Sequence, residues 1–309
     1  MTPRLPARWI RYLTEAPRFE GLFLCSPRGL AALRVGRKDG RVSGAAVLPL
    51  RAGSVVPSFD RPNLPDPGPL EDKVKEAAAR LGIADRTAAC LIPDICARAV
   101  LLAFDGLPGG EREREKVVRW RVQKQMPLLA EGTRLVYEVV GTSPLRVLAV
   151  LVKEAVVREY EAAFARARFR VGYLGIPSLS LLNLAGVETL RDGLLVNVED
   201  DSLSLMGFQA GELALYRLKP LAADVGRASR RLPEMVQEVE NTLRSIEDRE
   251  KKQIQALGLR MGVADPGGAL REGFRRAISI PVVEVAPPAA AGFETAESPL
   301  LIPLLGLLP

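Results

Sequence analysis

The sequence contains no histidine, and this absence excludes several classes of active site. Histidine is the usual general base near neutral pH and the commonest zinc ligand in proteins. Catalysis by a Ser-His-Asp or Cys-His arrangement is therefore excluded, and so is zinc held by imidazole. Hydrolase chemistry of the usual kind is not expected from this chain.

Cysteine is also scarce. The three cysteines are Cys25, Cys90 and Cys96, and no two of them form a CxxC pair. Their spacing matches no metal site, and an odd number does not suggest a disulfide framework. Because Cys25 and Cys90 lie in or beside apolar runs, we expect buried thiols in a reducing compartment.

Aromatic residues make up only 5% of the chain, whereas hydrophobic residues as a whole make up 48%. The core must therefore consist mainly of Leu, Val, Ile and Ala. No apolar run approaches the ~20 residues that a membrane span requires, so no span is predicted. A chain of 309 residues is long enough for two domains.

The net charge is +6, with arginine supplying most of the cations. Such an excess is compatible with a nucleic-acid or anionic-membrane partner. The alternative is a set of solvated, arginine-rich helix faces. The cations at 112–124 alternate with glutamates, as on an ordinary exposed helix, and aromatic residues do not interleave the basic runs. These two observations favour the solvated faces.

One pattern of elements occurs twice. Three short apolar runs joined by tight turns are followed by an amphipathic helix, which predicts a three-strand meander and a helix in each copy. The predicted strands are 20–25, 29–35 and 42–50 in the first copy and 194–198, 203–208 and 213–218 in the second, with helices at 71–81 and 232–249. Asp39-Gly40 in the first copy and Gln209-Ala210-Gly211 in the second predict hairpin turns. The repetition predicts duplicated α/β domains that face each other across a cleft, where such folds bind ligands.

Further elements lie between the two copies. Strands at 88–92 and 96–104, a charged helix at 111–125 and a strand pair at 135–140 and 145–152 predict an inserted subdomain around 87–152. We therefore expect a first domain over 1–176 that includes this insertion. The second domain is expected over 177–309, with an apolar C-terminal tail that packs back onto the body.

Several of these segments resemble the PilM family of actin-like pilus assembly proteins. The resemblance is carried by LIPDICARAVLLAFDGLP at 91–108, by VRWRVQKQMP at 118–127 and by IPVVEV at 280–285. The strand–turn–strand at 193–219 and the helix at 234–249 are similar to the second meander and long helix of the family. Order and spacing agree over roughly residues 18 to 309. The cytoplasmic domain of the related secretion protein GspL shares this fold, so a type II secretion role is the sister interpretation.

The resemblance implies an actin-like (ribonuclease H-like) fold of two duplicated domains with a central cleft. It also implies a cytoplasmic protein, peripheral to the inner membrane, that binds the N-terminal cytoplasmic tail of a PilN-like bitopic membrane protein and can self-associate into a ring. By analogy, the tail is expected near 91–127, with contacts at Asp94, Phe104, Leu107 and Trp120. No nucleic acid and no membrane span of its own are expected.

In proteins of this fold, two loops with an Asp-x-Gly pattern coordinate magnesium and phosphates. At the first loop position of this chain, Phe23 replaces the acid and Cys25 replaces the glycine, followed by Ser26 and Pro27. A phenylalanine cannot hold magnesium, and proline lacks the N–H that a phosphate loop uses. The residues at this position therefore argue against nucleotide binding.

The other two nucleotide loops also depart from the pattern. At the second position Asn197 replaces the acid and Glu199 the glycine, and the turn continues through Asp200 to Ser202. Negative charges here would repel a triphosphate unless a metal intervened. The third, glycine-rich loop reads GLRMG at 258–262, with its paired glycines displaced to Gly267 and Gly268. Together the three positions predict a pocket that has lost its cofactor, with ATP and Mg²⁺ as the alternative.

Three functions remain open from the sequence. The first is a nucleotide-free adaptor that binds a short peptide of a membrane partner, and the second is a weak ATPase of the same fold. The third is a nucleic-acid-binding protein of ribonuclease-H-like architecture. That third function is disfavoured because its chemistry needs clustered carboxylates on the first strands, where Glu20 stands alone.

Overall fold

The structure is a computed structural model, and it describes residues 19–127, 131–184, 190–221, 231–250, 253–263, 265, 268–285 and 299–308. The strands of the described residues form three sheets: two with five strands each and one with three. No helix in these ranges is both long enough and apolar enough to cross a membrane.

The first sheet has the strand order β3-β2-β1-β4-β8. Its strands are β1 (Gly21–Cys25), β2 (Gly29–Val35), β3 (Val42–Pro49), β4 (Thr87–Leu91) and β8 (Arg170–Gly175). The first three strands pair antiparallel as a meander, and β4 and β8 add in parallel on the other side of β1. The predicted hairpin at Asp39-Gly40 joins β2 to β3, with Gly40 at φ 67°.

The second sheet repeats this arrangement with the order β11-β10-β9-β12-β13. Its strands are β9 (Gly193–Val198), β10 (Ser202–Gln209), β11 (Glu212–Pro220), β12 (Ala256–Met261) and β13 (Val282–Glu284). An antiparallel meander is again followed by two parallel strands next to the first. The predicted duplication is therefore confirmed, since β9 and β10 occupy in this sheet the places of β1 and β2.

The third sheet is the insertion between β4 and β8, with the order β5-β7-β6. Its antiparallel strands are β5 (Ala97–Phe104), β6 (Thr133–Thr142) and β7 (Leu145–Lys153). A single 3₁₀ turn, Asp94–Cys96, connects β4 of the first sheet to β5. This turn is the point at which the chain passes from one sheet into the other.

Helices pack on both the outer and the facing sides of the sheets. They are α1 (Gly68–Leu81), α2 (Glu111–Gln125), α3 (Glu154–Arg166), α4 (Pro177–Leu181), α5 (Leu232–Glu250), α6 (Ala269–Ala277) and α7 (Ile302–Leu305). Helix α1 has Val74, Ala77 and Ala78 on its buried face, as the predicted helical period requires. It ends at Gly82, whose left-handed φ of 66° closes the last turn.

The facing sides of the two five-stranded sheets share one apolar cluster. Leu22 and Leu24 of β1 pack with Leu195 of β9 and Met206 of β10, and all four are buried. Residues 299–308 add to the same cluster through Leu300, Leu301, Leu304 and Leu305. Their backbone is held by α4 and the residues after it, because the Ser180 hydroxyl donates to the Pro303 carbonyl at 2.6 Å. Polar contacts between the sheets are therefore concentrated above this apolar base, at the strand ends.

Candidate functional site

The turn after β1, residues Ser26–Arg28, is the first of the two predicted phosphate positions. Phe23 and Cys25 are fully buried in the core below it, where Phe23 packs edge-to-face on Phe164 with ring centroids 5.4 Å apart. The backbone N–H of Ser26 donates to the Gly29 carbonyl, and the Gly29 N–H donates to Ser26. Because these donors bond within the turn, they are not directed at a ligand.

The turn after β9 is the second predicted position, and the structure fills it with one arginine that sequence reasoning missed. Arg260 of β12 is fully buried, and its guanidinium donates to the Asn197 side-chain oxygen at 2.8 Å. The same guanidinium forms an ion pair with Glu199 and donates to the Pro299 carbonyl. The negative charge of Glu199 is thus neutralised from within the chain.

The backbone of this acidic turn is closed as well. The Glu199 N–H donates to the Ser202 carbonyl at 2.8 Å, and the Ser202 hydroxyl donates to Asp201 at 3.0 Å. Arg231, which precedes α5, donates to the Asp200 carbonyl at 3.0 Å. The turn is therefore built around its own carboxylates and the arginines that contact them.

Asp94 connects the turn between β4 and β5 to the second sheet. Its carboxylate accepts hydrogen bonds from the Ser178 N–H at 3.0 Å, the Asn197 amide at 3.0 Å and the Ser204 hydroxyl at 2.6 Å. Burial raises the pKa of Asp94, and the nearby charge of Glu199 raises it further. Since this side chain has no exposed surface, it supports the junction between the sheets rather than offering a contact to a partner.

The two turns meet through Arg28. Its Nε lies 2.6 Å from an Asp200 carboxylate oxygen, and its Nη2 donates to the Gly262 carbonyl. Burial raises the pKa of Asp200, while the charge of Arg28 opposes this effect. Burial, together with the charge of Glu199, raises the pKa of Asp201 to about 7. An acidic turn of one sheet and a basic turn of the other are therefore in direct contact.

The third predicted nucleotide loop, at 258–262, has a different structure from the one predicted. Residues 258–261 are not a loop, because they lie within strand β12. The N-terminus of α6 is capped by Asp265, whose carboxylate accepts from the N–H groups of Leu270 and Arg271 at 2.9 and 3.1 Å. Gly268 precedes this helix with φ 73°, and Gly267 lies outside the described residues. The donors that could bind a phosphate at a helix start are thus already paired.

These contacts do not fit a nucleotide with its metal. Phosphate loops need free backbone N–H groups, and a magnesium site needs carboxylates that are not already paired with arginine. Within the described residues, no cluster of three or more Cys, Asp or Glu side chains is arranged to hold a metal ion. Glu20, the lone carboxylate before β1, accepts from the N–H groups of Ala84 and Asp85 and pairs with Arg34, so its role is structural.

The residues predicted to contact a partner differ in exposure. Phe104 and Leu107 pack against the apolar cluster under α2, whereas Trp120 of α2 is 57% exposed. Val136 of β6, which the sequence did not single out, is 64% exposed. Strand β6 is at the edge of the third sheet, and a cavity of about 360 Å³ lies between it and α2. The strand itself was predicted at 135–140, but its sequence pattern did not single out Val136 as an exposed residue.

Comparison with known proteins shows the fold. No family model matches the sequence, and no curated protein matches it. The PilM–PilN type IV pilus biogenesis complex is similar to this chain, with a TM-score of 0.78 and 16% identity over 94% of this chain and 98% of that one. The resemblance to PilM drawn from the sequence is therefore confirmed at the level of the fold.

Two other solved structures share this architecture. A protein from Bacteroides thetaiotaomicron with an actin-like ATPase fold and unknown function has a TM-score of 0.53 and 11% identity, over 88% of this chain and 92% of that one. The cytoplasmic domain of EpsL, an inner-membrane component of the type II secretion system of Vibrio cholerae, has a TM-score of 0.50 and 10% identity, over 83% and 93%. This chain therefore has the actin-like ATPase fold.

Proposed function

We propose that this chain is a non-catalytic, cytoplasmic adaptor of a type IV pilus assembly platform. It would bind the N-terminal cytoplasmic tail of a PilN-like bitopic membrane protein and reach the inner membrane through that partner. The likeness to a solved PilM–PilN complex over nearly the whole chain supports this proposal. The likeness to EpsL supports a type II secretion platform as the second candidate.

The proposal that the chain is not a catalyst rests on one observation, the pairing of Arg260 with Glu199 and Asn197. These two residues stand where the fold would hold metal and phosphate, and both are satisfied by a buried cation of the chain itself. Displacing a buried, hydrogen-bonded arginine would leave Glu199 uncompensated, which costs several kcal/mol. We therefore expect nucleotide to add nothing to the stability of the folded chain.

The edge of β6 is the surface that best suits an extended tail. Among the described residues no strand pairs with the outer edge of β6, so the edge between Arg134 and Gly141 is open to strand addition, while the Thr142 N–H at its end donates to Glu212. Val136 points to one side of this strand, and Leu135 lines the cavity on the other side, towards α2. A tail that adds a strand here would place alternate apolar side chains beside Val136 and in the cavity.

The decisive experiment measures tail binding by calorimetry, using synthetic cytoplasmic tails of PilN-like and of secretion-system partners. We expect Val136→Asp and Trp120→Ala to weaken binding about tenfold or more, because exposed apolar anchors carry much of such affinities. The matched control is Val283→Asp, since Val283 is 51% exposed on β13, which also lies at a sheet edge. Failure of every tail to bind, or an equal loss in Val283→Asp, would contradict the adaptor proposal.

A titration with ATP and Mg²⁺ separates the adaptor from a weak ATPase of the same fold. A ligand that binds only the folded state raises the melting temperature once its concentration exceeds Kd. We expect no rise at millimolar ATP with Mg²⁺. A concentration-dependent rise would show that the chain binds nucleotide.

A further inference from the structure

Arg28 makes the most direct polar connection between the two five-stranded sheets. It belongs to the turn after β1, and both of its acceptors, Asp200 and the Gly262 carbonyl, belong to the second sheet or its loops. We call these three residues the Arg28 bridge. The Asp200 side chain is 8% exposed and that of Arg28 is 23% exposed, so the bridge is largely shielded from water.

The other two arginines that contact the acidic turn bind groups different from the Asp200 carboxylate. Arg260 pairs with Glu199, and Arg231 donates to the backbone of Asp200. Among the described residues, Arg28 is therefore the only cation that forms an ion pair with the Asp200 carboxylate. Loss of Arg28 would leave the shielded Asp200 carboxylate without an ion-pair partner, and an uncompensated buried charge is costly.

We propose that the Arg28 bridge holds the two five-stranded sheets together at the turns after β1 and β9, in place of a bound ligand. The guanidinium supplies, from within the chain, the positive charge that the acidic turn needs. The Nη2 group of the same guanidinium donates to the Gly262 carbonyl. One side chain therefore connects the β1–β2 turn to two separate loops. The contact between the turn after β1 and the turn after β9 is then present in the chain without any ligand, and it does not depend on tail binding.

Hydrogen–deuterium exchange of the two turns tests this proposal. We expect Arg28→Ala to raise exchange about tenfold in the segments 26–30 and 198–203, since it removes both contacts of the bridge, and Asp200→Asn to raise it less, since Arg28 keeps its bond to the Gly262 carbonyl. The double variant should exchange no faster than Arg28→Ala alone, because Asp200 acts on the turns through Arg28. The matched control is Arg34→Ala, whose partner Glu20 directly precedes β1 of the sheet that contains Arg34.

Two further arms make the test specific. Low millimolar methylguanidinium should return the exchange of Arg28→Ala towards that of the parent, and it should leave Arg34→Ala unchanged. ATP with Mg²⁺ should leave exchange of the parent protein unchanged. Unaltered exchange in Arg28→Ala, an equal rise in Arg34→Ala, or protection of the parent turns by ATP with Mg²⁺ would each overturn the proposal. Asp200→Asn preserves side-chain shape and serves if Arg28→Ala does not fold.

Discussion

The turn after β1 and the turn after β9 occupy equivalent places in two sheets of the same strand order, and they have diverged in opposite directions. The first is short, contains Pro27 and carries one cation, and its hydrogen bonds are local. The second carries three consecutive acids, and its neutralisation comes from residues distant in sequence. The comparison shows that two equivalent turns can be complementary in charge: the cation of the first turn pairs with a carboxylate of the second.

The largest expected effect concerns the second turn, where charge is most deeply buried. Arg260→Ala removes the cation from Glu199 and a donor from Asn197, and we expect a loss of about 3–5 kcal/mol in the free energy of unfolding. Denaturation by urea measures this loss. If the second turn were neutralised by solvent rather than by Arg260, the loss would be below ~1 kcal/mol.

A matched pair of variants accompanies this measurement. Arg244→Ala removes an exposed arginine that pairs with Glu240 one helical turn away, and we expect a change within about 0.5 kcal/mol. Arg260→Met combined with Glu199→Gln removes both buried charges and should recover much of the loss of Arg260→Ala. A double variant as unstable as the single one would show that packing, not charge, dominates at this site.

An intermediate effect, dependent on pH, is expected at Asp201. Its pKa in the folded chain is about 7 because it is buried beside Glu199, so the folded state retains a proton that the unfolded state has released. The stability that this retained proton contributes to the folded state is fully present below about pH 4 and is lost as pH rises through 7. Asp201→Asn does not titrate, so its advantage over the parent should grow over this window, to about 4 kcal/mol at pH 8.

Urea denaturation of both proteins at pH 4, 6 and 8 measures that advantage. Asp72→Asn, at an exposed position on α1, is the control and should show no comparable dependence on pH. A constant difference between Asp201→Asn and the parent from pH 4 to 8 would contradict the assigned protonation of the acidic turn.

The smallest effect is expected in the first turn, which is closed locally. Ser26→Ala removes the hydroxyl that donates to the Gly29 carbonyl at 3.0 Å, and a buried hydrogen bond of this kind contributes about 1 kcal/mol. Ser43→Ala removes a similar bond to the Arg34 carbonyl at an exposed site, where water replaces it, and should cost less. If the two variants lost the same free energy of unfolding, burial of the first turn would not strengthen its hydrogen bond.

Much of the fold could be predicted from local pattern. The apolar runs around Asp39-Gly40 and around Ala210-Gly211 predicted hairpins, and both are present, with Ala210 and Gly211 each at positive φ. The loop predicted at 258–262 was wrong for residues 258–261, because Gly258 lies in the buried strand β12 with no turn there. A glycine in a strand and a glycine in a loop look alike in sequence, and pairing with β9 decides between them.

The candidate site could be located from sequence but not understood from it. Asn197 and Glu199 were expected at a degenerate position, yet Arg260, 61 residues away from Glu199, gave no local signal. Asp94 was expected at a partner surface by analogy with the family that the 91–127 segment resembles, and it is instead fully buried at the junction of the sheets. Charge pairing between residues distant in sequence depends on where the strands end in space. The spacing of apolar residues along the chain contains no information about these positions.

Residue identities and local patterns were sufficient to predict the duplicated α/β order, to exclude histidine chemistry and to find two turns that depart from the Asp-x-Gly pattern of the family it resembles. Those properties depend on residue identity and on contacts between near neighbours in the chain. The neutralisation of the acidic turn by Arg28 and Arg260 became visible in the folded chain alone. The reason is physical: the energy of a charge depends on its burial and on the distance to its partners, and both are set by how the two sheets pack.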